Sequence, residues 1–196
     1  MEKRELKEEK KKGLSLQDLL LVAVFLAAGA VLKYFVGSII NFGGMKPNFI
    51  IAMYCLVIAL IRPNVLYCII IGILAGAVCQ LFPGTPYLNF ASEFAGALAM
   101  GLLLMIPAKT AVFRTILNAV ITFISTVISG GLYTVLLFVF VKAQPEAMVG
   151  YVPIVLGTAT LNAIIVGALY VPLMKVLKRE IPVTKKAEPV EEEKAE

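Results

Sequence analysis

Long apolar runs separated by short polar breaks fill the chain from Leu16 to Met174. A helix that crosses a bilayer needs about 17–25 such residues. The runs predict six helices: Leu16–Val36, Phe49–Ile61, Val65–Phe82, Ala91–Ala108, Ile116–Val141 and Val152–Met174. The second is short. At 1.5 Å per residue it covers about 20 Å, less than the roughly 30 Å hydrocarbon core. The first has a clear start, because Ser15-Leu-Gln-Asp18 fits a capping box in which each side chain takes a free backbone N–H. Pro107, Pro145, Pro153 and Pro172 mark helix ends or bends, and Gly130-Gly131 is expected to interrupt the fifth helix.

Charge divides the chain into three parts. A charged N-terminal tail covers residues 1–15, a six-helix membrane domain 16–179, and a charged tail 180–196 that reads as disordered. With the N-terminus in the cytoplasm, fifteen of the 18 basic residues fall on the cytoplasmic side and only Lys33, Lys46 and Lys142 outside. This positive-inside asymmetry requires an even number of spans, so both termini are cytoplasmic. Ala28-Gly29-Ala30 also fits a signal-peptide cleavage site, but the apolar run continues to Val36.

Composition narrows the class further. The chain has 196 residues, 60% of them hydrophobic and 16% charged, against about 45–50% and 25% in soluble domains. The net charge of +5 sits at the chain ends, which excludes a nucleic-acid partner. These features define an all-α integral membrane protein in contact with lipid. There is no His, which removes His-based acid–base chemistry and zinc motifs. No cofactor or metal is expected, and no enzyme. Cys55, Cys68 and Cys79 lie in apolar runs without metal-knuckle spacing, and read as packing residues.

Polar groups within spans are costly and need a partner, water or a ligand. Three elements toward the outer face carry them. The segment Gly43-Gly44-Met45-Lys46-Pro47-Asn48 precedes the short second helix. It is expected to dip into the bilayer and line a cavity, with Lys46 as a cation, Pro47 starting the helix and free N–H groups favouring an anion. Otherwise it is an exposed turn with a snorkelling Lys. The second element is the proline- and aromatic-rich stretch Leu81–Phe90, with Tyr87 and Asn89, which suits a lid. It leads to Glu93, which either binds a ligand or simply complements a helix N-terminus. The third is Tyr133 on the fifth helix and Asn162 on the sixth, beside Thr158 and Thr160. An Asn in a bundle often bonds only to a neighbouring helix.

Lys46 and Glu93, with Phe42, Phe82, Tyr87, Phe90, Phe94 and Tyr133 as a wall, match a zwitterionic amino acid bearing an apolar side chain. Alternatively the two charges pair with each other. Small residues recur every fourth position on four helices: Ala23/Ala27, Gly72/Gly76, Ala91/Ala95/Ala99 and Ala159/Ala163/Gly167. Each set lies on one face and allows close approach, but the pattern does not say which set meets a partner.

Phe42-Gly-Gly-Met-Lys-Pro-Asn48, Phe82-Pro-Gly followed by Pro86 and Asn89, and Leu161-Asn162 are the residues by which the chain resembles a known family. Over roughly Leu19–Lys178 it resembles the tryptophan-transporter family of substrate-binding (S) subunits of energy-coupling factor (ECF) importers. The resemblance implies the six-helix S-component fold and an outward cavity closed by the loops after the first and third helices. It also implies a transmembrane coupling subunit against Ala23 and Ala27, two cytoplasmic ATPase subunits, and tryptophan or a related small aromatic solute as cargo. In the family pattern an Asp follows Lys-Pro and an Asp-Lys pair follows the Asn of the fourth helix. Here those places hold Asn48 and Ser92-Glu93.

The chain carries no phosphate-binding loop motif, so ATP hydrolysis would come from partners. A self-sufficient secondary transporter would need an ion-coupling site, for which one intramembrane acid is thin support. No internal repeat supports it either. A membrane scaffold would need no polar cavity.

Overall fold

The structure, a computed structural model, describes residues 13–40, 46–85, 87–142 and 145–184. Among these residues it contains six α-helices and no strand: α1 Leu16–Ile39, α2 Ile50–Ile61, α3 Val65–Cys79, α4 Leu88–Leu103, α5 Ala111–Val141 and α6 Pro145–Val176. The capping box is present, with Ser15 Oγ accepting from the Asp18 N–H and Asp18 bonding back to the Ser15 N–H. Asn64 and Thr110 cap α3 and α5 in the same way.

α2 is the axis of the bundle. Its sequence, IIAMYCLVIALI, has no polar face, and Ile50 through Leu60 are buried throughout. It packs against each of the other five helices. A helix that is apolar all round is stable only when surrounded. α3 and α4 approach closely because α3 has glycines where they meet. A Cβ at Gly72 would lie 2.7 Å from the Ala97 Cβ and the Glu93 carbonyl, and one at Gly76 would lie 2.8 Å from the Phe90 Cα.

α1, α5 and α6 contain segments long and apolar enough to cross a membrane. α2, α3 and α4, at 12, 15 and 16 residues, are shorter apolar helices. Several expected boundaries move. α3 ends at Cys79 rather than Phe82, and α4 begins at Leu88, before Ala91, and ends short of Ala108. α5 starts at its Thr110 cap and runs unbroken through Gly130-Gly131, so that pair does not interrupt the helix. Gly130 instead lets Val155 of α6 come close, with a Cβ there meeting the Val155 methyl carbons at 3.0 Å. Pro153 and Pro172 both lie inside α6. Pro47 does not start α2, which begins at Ile50 behind Phe49.

Arginines tie the helix ends opposite the cavity. Arg62 Nη2 donates to the Leu104 carbonyl (2.5 Å) and Arg114 Nε to the Pro182 carbonyl (3.2 Å). Arg179 donates to the Leu60 carbonyl (3.3 Å) and pairs with Asp18 (2.5 Å). The Thr184 N–H donates to the Ala108 carbonyl. Contacts with the bundle therefore continue beyond residue 179. Most of the two expected tails, 1–12 and 185–196, lies outside the described residues.

Candidate functional site

A cavity of about 530 Å3 opens among the ends of all six helices. The C-terminal parts of α1, α3 and α5 and the N-terminal parts of α2, α4 and α6 frame it. That arrangement follows from helices alternating in direction. α1 contributes Lys33 and Tyr34, the segment before α2 Lys46 and Asn48, and α3 with its following loop Cys79, Phe82, Pro83, Gly84 and Thr85. α4 adds Asn89, Ser92 and Glu93. α5 adds Thr126, Ser129, Gly130, Tyr133 and Thr134, and α6 adds Tyr151, Ile154, Val155 and Thr158. The volume falls within the range of about 300–1,000 Å3 typical of small-molecule sites.

Glu93 is the anionic centre. It is the sixth residue of α4 and 1% exposed, so it lies past the first turn and is not a solvated helix-end charge. Asn48 Nδ2 donates to its Oε1 (2.5 Å) and Ser129 Oγ to its Oε2 (3.0 Å). The Cys79 thiol approaches Oε1 at 3.8 Å. Asn48 is itself held by α6, because Asn162 Nδ2 donates to its backbone carbonyl (3.2 Å) and also reaches Thr126 Oγ1 (3.3 Å). Gly96, one turn after Ser92 and Glu93, has no side chain, and the Tyr54 hydroxyl and the Ser129 Cβ fill the space a Cβ would take.

The half-buried cation of the cavity is Lys33. Its ammonium lies 3.5 Å from Cys79 Sγ and 5.1 Å from the centre of the Phe82 ring, a cation–π distance. Phe82, Tyr133, Tyr34 and Tyr151 supply aromatic wall.

Of the residues singled out in the sequence, Lys46, Asn48, Asn89, Glu93 and Tyr133 do share this cavity. Gly43, Gly44 and Met45 lie outside the described residues, as does Phe42. Pro47 is buried, and Tyr87 is 74% exposed; neither lines the cavity. Tyr87 adopts a left-handed backbone conformation (φ 67°) at the cap of α4, its N–H donating to Gln80 Oε1 at 3.2 Å. Asn162 is fully buried behind the wall and serves as a strut between α5, α6 and Asn48. Phe90 and Phe94 back α4 onto the α3 glycines instead of facing the cavity. Ala23 and Ala27 are exposed on the outer face of α1, while Val22, Leu26 and Gly29 turn inward.

Sequence reasoning missed Lys33, Tyr34, Cys79, Ser129 and Tyr151. For Lys33 the signal was available, since a Lys inside an apolar run is a functional candidate in itself. For Ser129 it was the polar stripe Asn118, Thr122, Ser125, Thr126 and Ser129, which recurs every three or four residues along α5 and marks one face. Cys79 gave no signal.

A family model described as Tryptophan transporter TrpP matches residues 15–178. The chain is 28% identical over 170 residues to a "Probable tryptophan transport protein" of Clostridium acetobutylicum, covering 84% of this chain and 96% of that one. It is 29% identical over 168 residues to a protein of the same description from Bacillus subtilis, covering 83% and 94%. No solved structure matches.

Proposed function

Because the chain belongs to the tryptophan transporter family, we propose that it is the substrate-binding (S) subunit of an ECF importer that takes up tryptophan across the bacterial plasma membrane. The observation that carries this reading is the 530 Å3 cavity, which combines a buried carboxylate, a half-buried ammonium and an aromatic wall. A zwitterionic amino acid with a flat apolar side chain supplies the complement of each. The relatives' printed description as tryptophan transport proteins supports the same cargo.

In this reading all six helices lie in the bilayer with both termini cytoplasmic, as the distribution of basic residues favours. The shorter α2 is shielded from lipid by its neighbours, so its length need not match the bilayer. The loop after α3 lies over the cavity and is the natural lid, with Gly84 close to the Tyr133 hydroxyl. The outward-facing Ala23 and Ala27 offer a small-residue face for the transmembrane coupling subunit. Two cytoplasmic ATPase subunits supply the energy.

The test has two stages. Detergent-purified protein should bind tryptophan tightly with no gradient present, and tryptophan should raise its melting temperature. In liposomes the chain alone should fail to accumulate tryptophan, and uptake should appear on adding the coupling subunit, the ATPases and ATP. Gradient-driven uptake by the chain alone would make it a secondary carrier instead.

A further inference from the structure

The cavity holds a cation and an anion that do not pair. Lys33 and Glu93 both line it, yet no ion pair joins them among the described residues. Both approach the Cys79 sulfur, Lys33 Nζ at 3.5 Å and Glu93 Oε1 at 3.8 Å. The two charges are therefore no more than about 7.3 Å apart. A thiol is no counterion for an ammonium inside an apolar helix. Burying a Lys is costly unless something anionic meets it, and among the described residues the direct contacts of this one are the Cys79 sulfur and the Phe82 ring.

We propose that Lys33 takes the carboxylate of the cargo while Glu93 takes its ammonium, so that the site selects free α-amino acids with both head groups unblocked. This rests on the reading of the cavity as the tryptophan site. One α-amino acid head group, with a charge-assisted hydrogen bond of about 2.8 Å at each end, bridges two charges held within that limit. The carboxylate of Glu93 has capacity to spare. Asn48 and Ser129 each donate one bond to it and the Cys79 thiol a weak third, and a carboxylate accepts about four. The first two donors also fix its orientation, so an arriving ammonium meets a preset acceptor. The indole then points away from Cys79 toward the aromatic wall. Lys46 lines the same cavity but is exposed to solvent, where a charge–charge contact is worth least.

The experiment compares four ligands on the purified full chain by calorimetry: tryptophan, its methyl ester, tryptamine and indole-3-propionate. Wild type should bind tryptophan at least about tenfold more tightly than any of the other three, since each lacks one charged contact. Lys33→Met should erase the preference for tryptophan over tryptamine, leaving tryptamine binding unchanged or stronger. Lys33→Arg should retain part of that preference. Glu93→Gln should erase the preference for tryptophan over indole-3-propionate. Tryptamine binding by Lys33→Met serves as its own control for folding. Equal binding of tryptophan and its methyl ester by wild type would overturn the proposal without any variant. So would a Lys33→Met protein that still prefers tryptophan, or loss of that preference in Lys46→Met but not in Lys33→Met. Failure of wild type to bind tryptophan at all would instead overturn the assignment of the cargo.

Discussion

Gly96→Ala adds one methyl group at a tightly packed helix crossing. The new Cβ would collide with the Tyr54 hydroxyl, lie 2.9 Å from the Ser129 Cβ and 3.2 Å from the Ser125 carbonyl. Tyr54 is fully buried on the axial helix and Ser129 nearly so, so neither has free space to move into. Overpacking of this kind costs about 1–3 kcal/mol. Tyr54 and Ser129 must both shift, and Ser129 donates to Glu93, where a hydrogen bond to a charged group is worth about 1.5–3 kcal/mol. Better helix propensity returns about 1 kcal/mol. The expected net destabilisation is about 1.5–5 kcal/mol. That lowers Tm by roughly 3–20 °C for a chain of this size, read by thermal unfolding in detergent. The matched control is Gly131→Ala on α5, where an added Cβ meets nothing within 4 Å; it should leave Tm unchanged or raise it. Tryptophan affinity should fall in Gly96→Ala through the displaced Ser129. Equal melting temperatures for the two variants would refute the close α2–α4–α5 crossing on which the placement of Glu93 depends.

Other expectations follow from single contacts. Ser129→Ala removes the donor to Glu93 Oε2 without adding bulk, so tryptophan affinity should fall about tenfold or more by calorimetry while the protein still purifies as a single species. Ala23→Leu with Ala27→Leu enlarges only the exposed face of α1; binding by the isolated chain should persist, and uptake with the proposed coupling and ATPase subunits should vanish. Loss of binding would place those residues in internal packing. Arg179→Ala breaks both the Asp18 pair and the bond to the Leu60 carbonyl, and should lower stability by about 1–3 kcal/mol. That effect should exceed the one from Asp18→Asn, which spares the Leu60 bond; the reverse order in thermal unfolding would show that the carbonyl contact contributes little.

Features that depend on neighbouring residues alone could be read along the chain. Apolar run length gave the number and approximate place of the helices, because moving backbone and charge into hydrocarbon has a cost that does not depend on what lies beside the helix. The capping box at Ser15 and Asp18 is a contact over three residues, so its spelling was enough. Glu93 stood out for the same reason as the span lengths, as an acid whose burial demands an explanation. Contacts across the bundle were not readable in this way. Cys79 lies among Lys33, Asn48 and Glu93 at sequence separations of 46, 31 and 14 residues, and Asn162 reaches the Asn48 carbonyl across 114.

Whether a polar residue faces the cavity or another helix is fixed by the rotation of each helix about its own axis. That rotation is set by where glycines such as Gly72, Gly76 and Gly96 let two backbones come together. The sequence by itself therefore determined that this is a helical chain with membrane-length apolar segments and one acid, Glu93, placed within an apolar run. Only the tertiary structure decided that α2 is the axis, that Asn162 is a strut, that Ala23 and Ala27 look outward, and that Lys33 shares a cavity with Glu93. The physical reason is that a residue's hydropathy belongs to the residue, whereas its neighbour across a helix crossing belongs to the packing of the whole bundle.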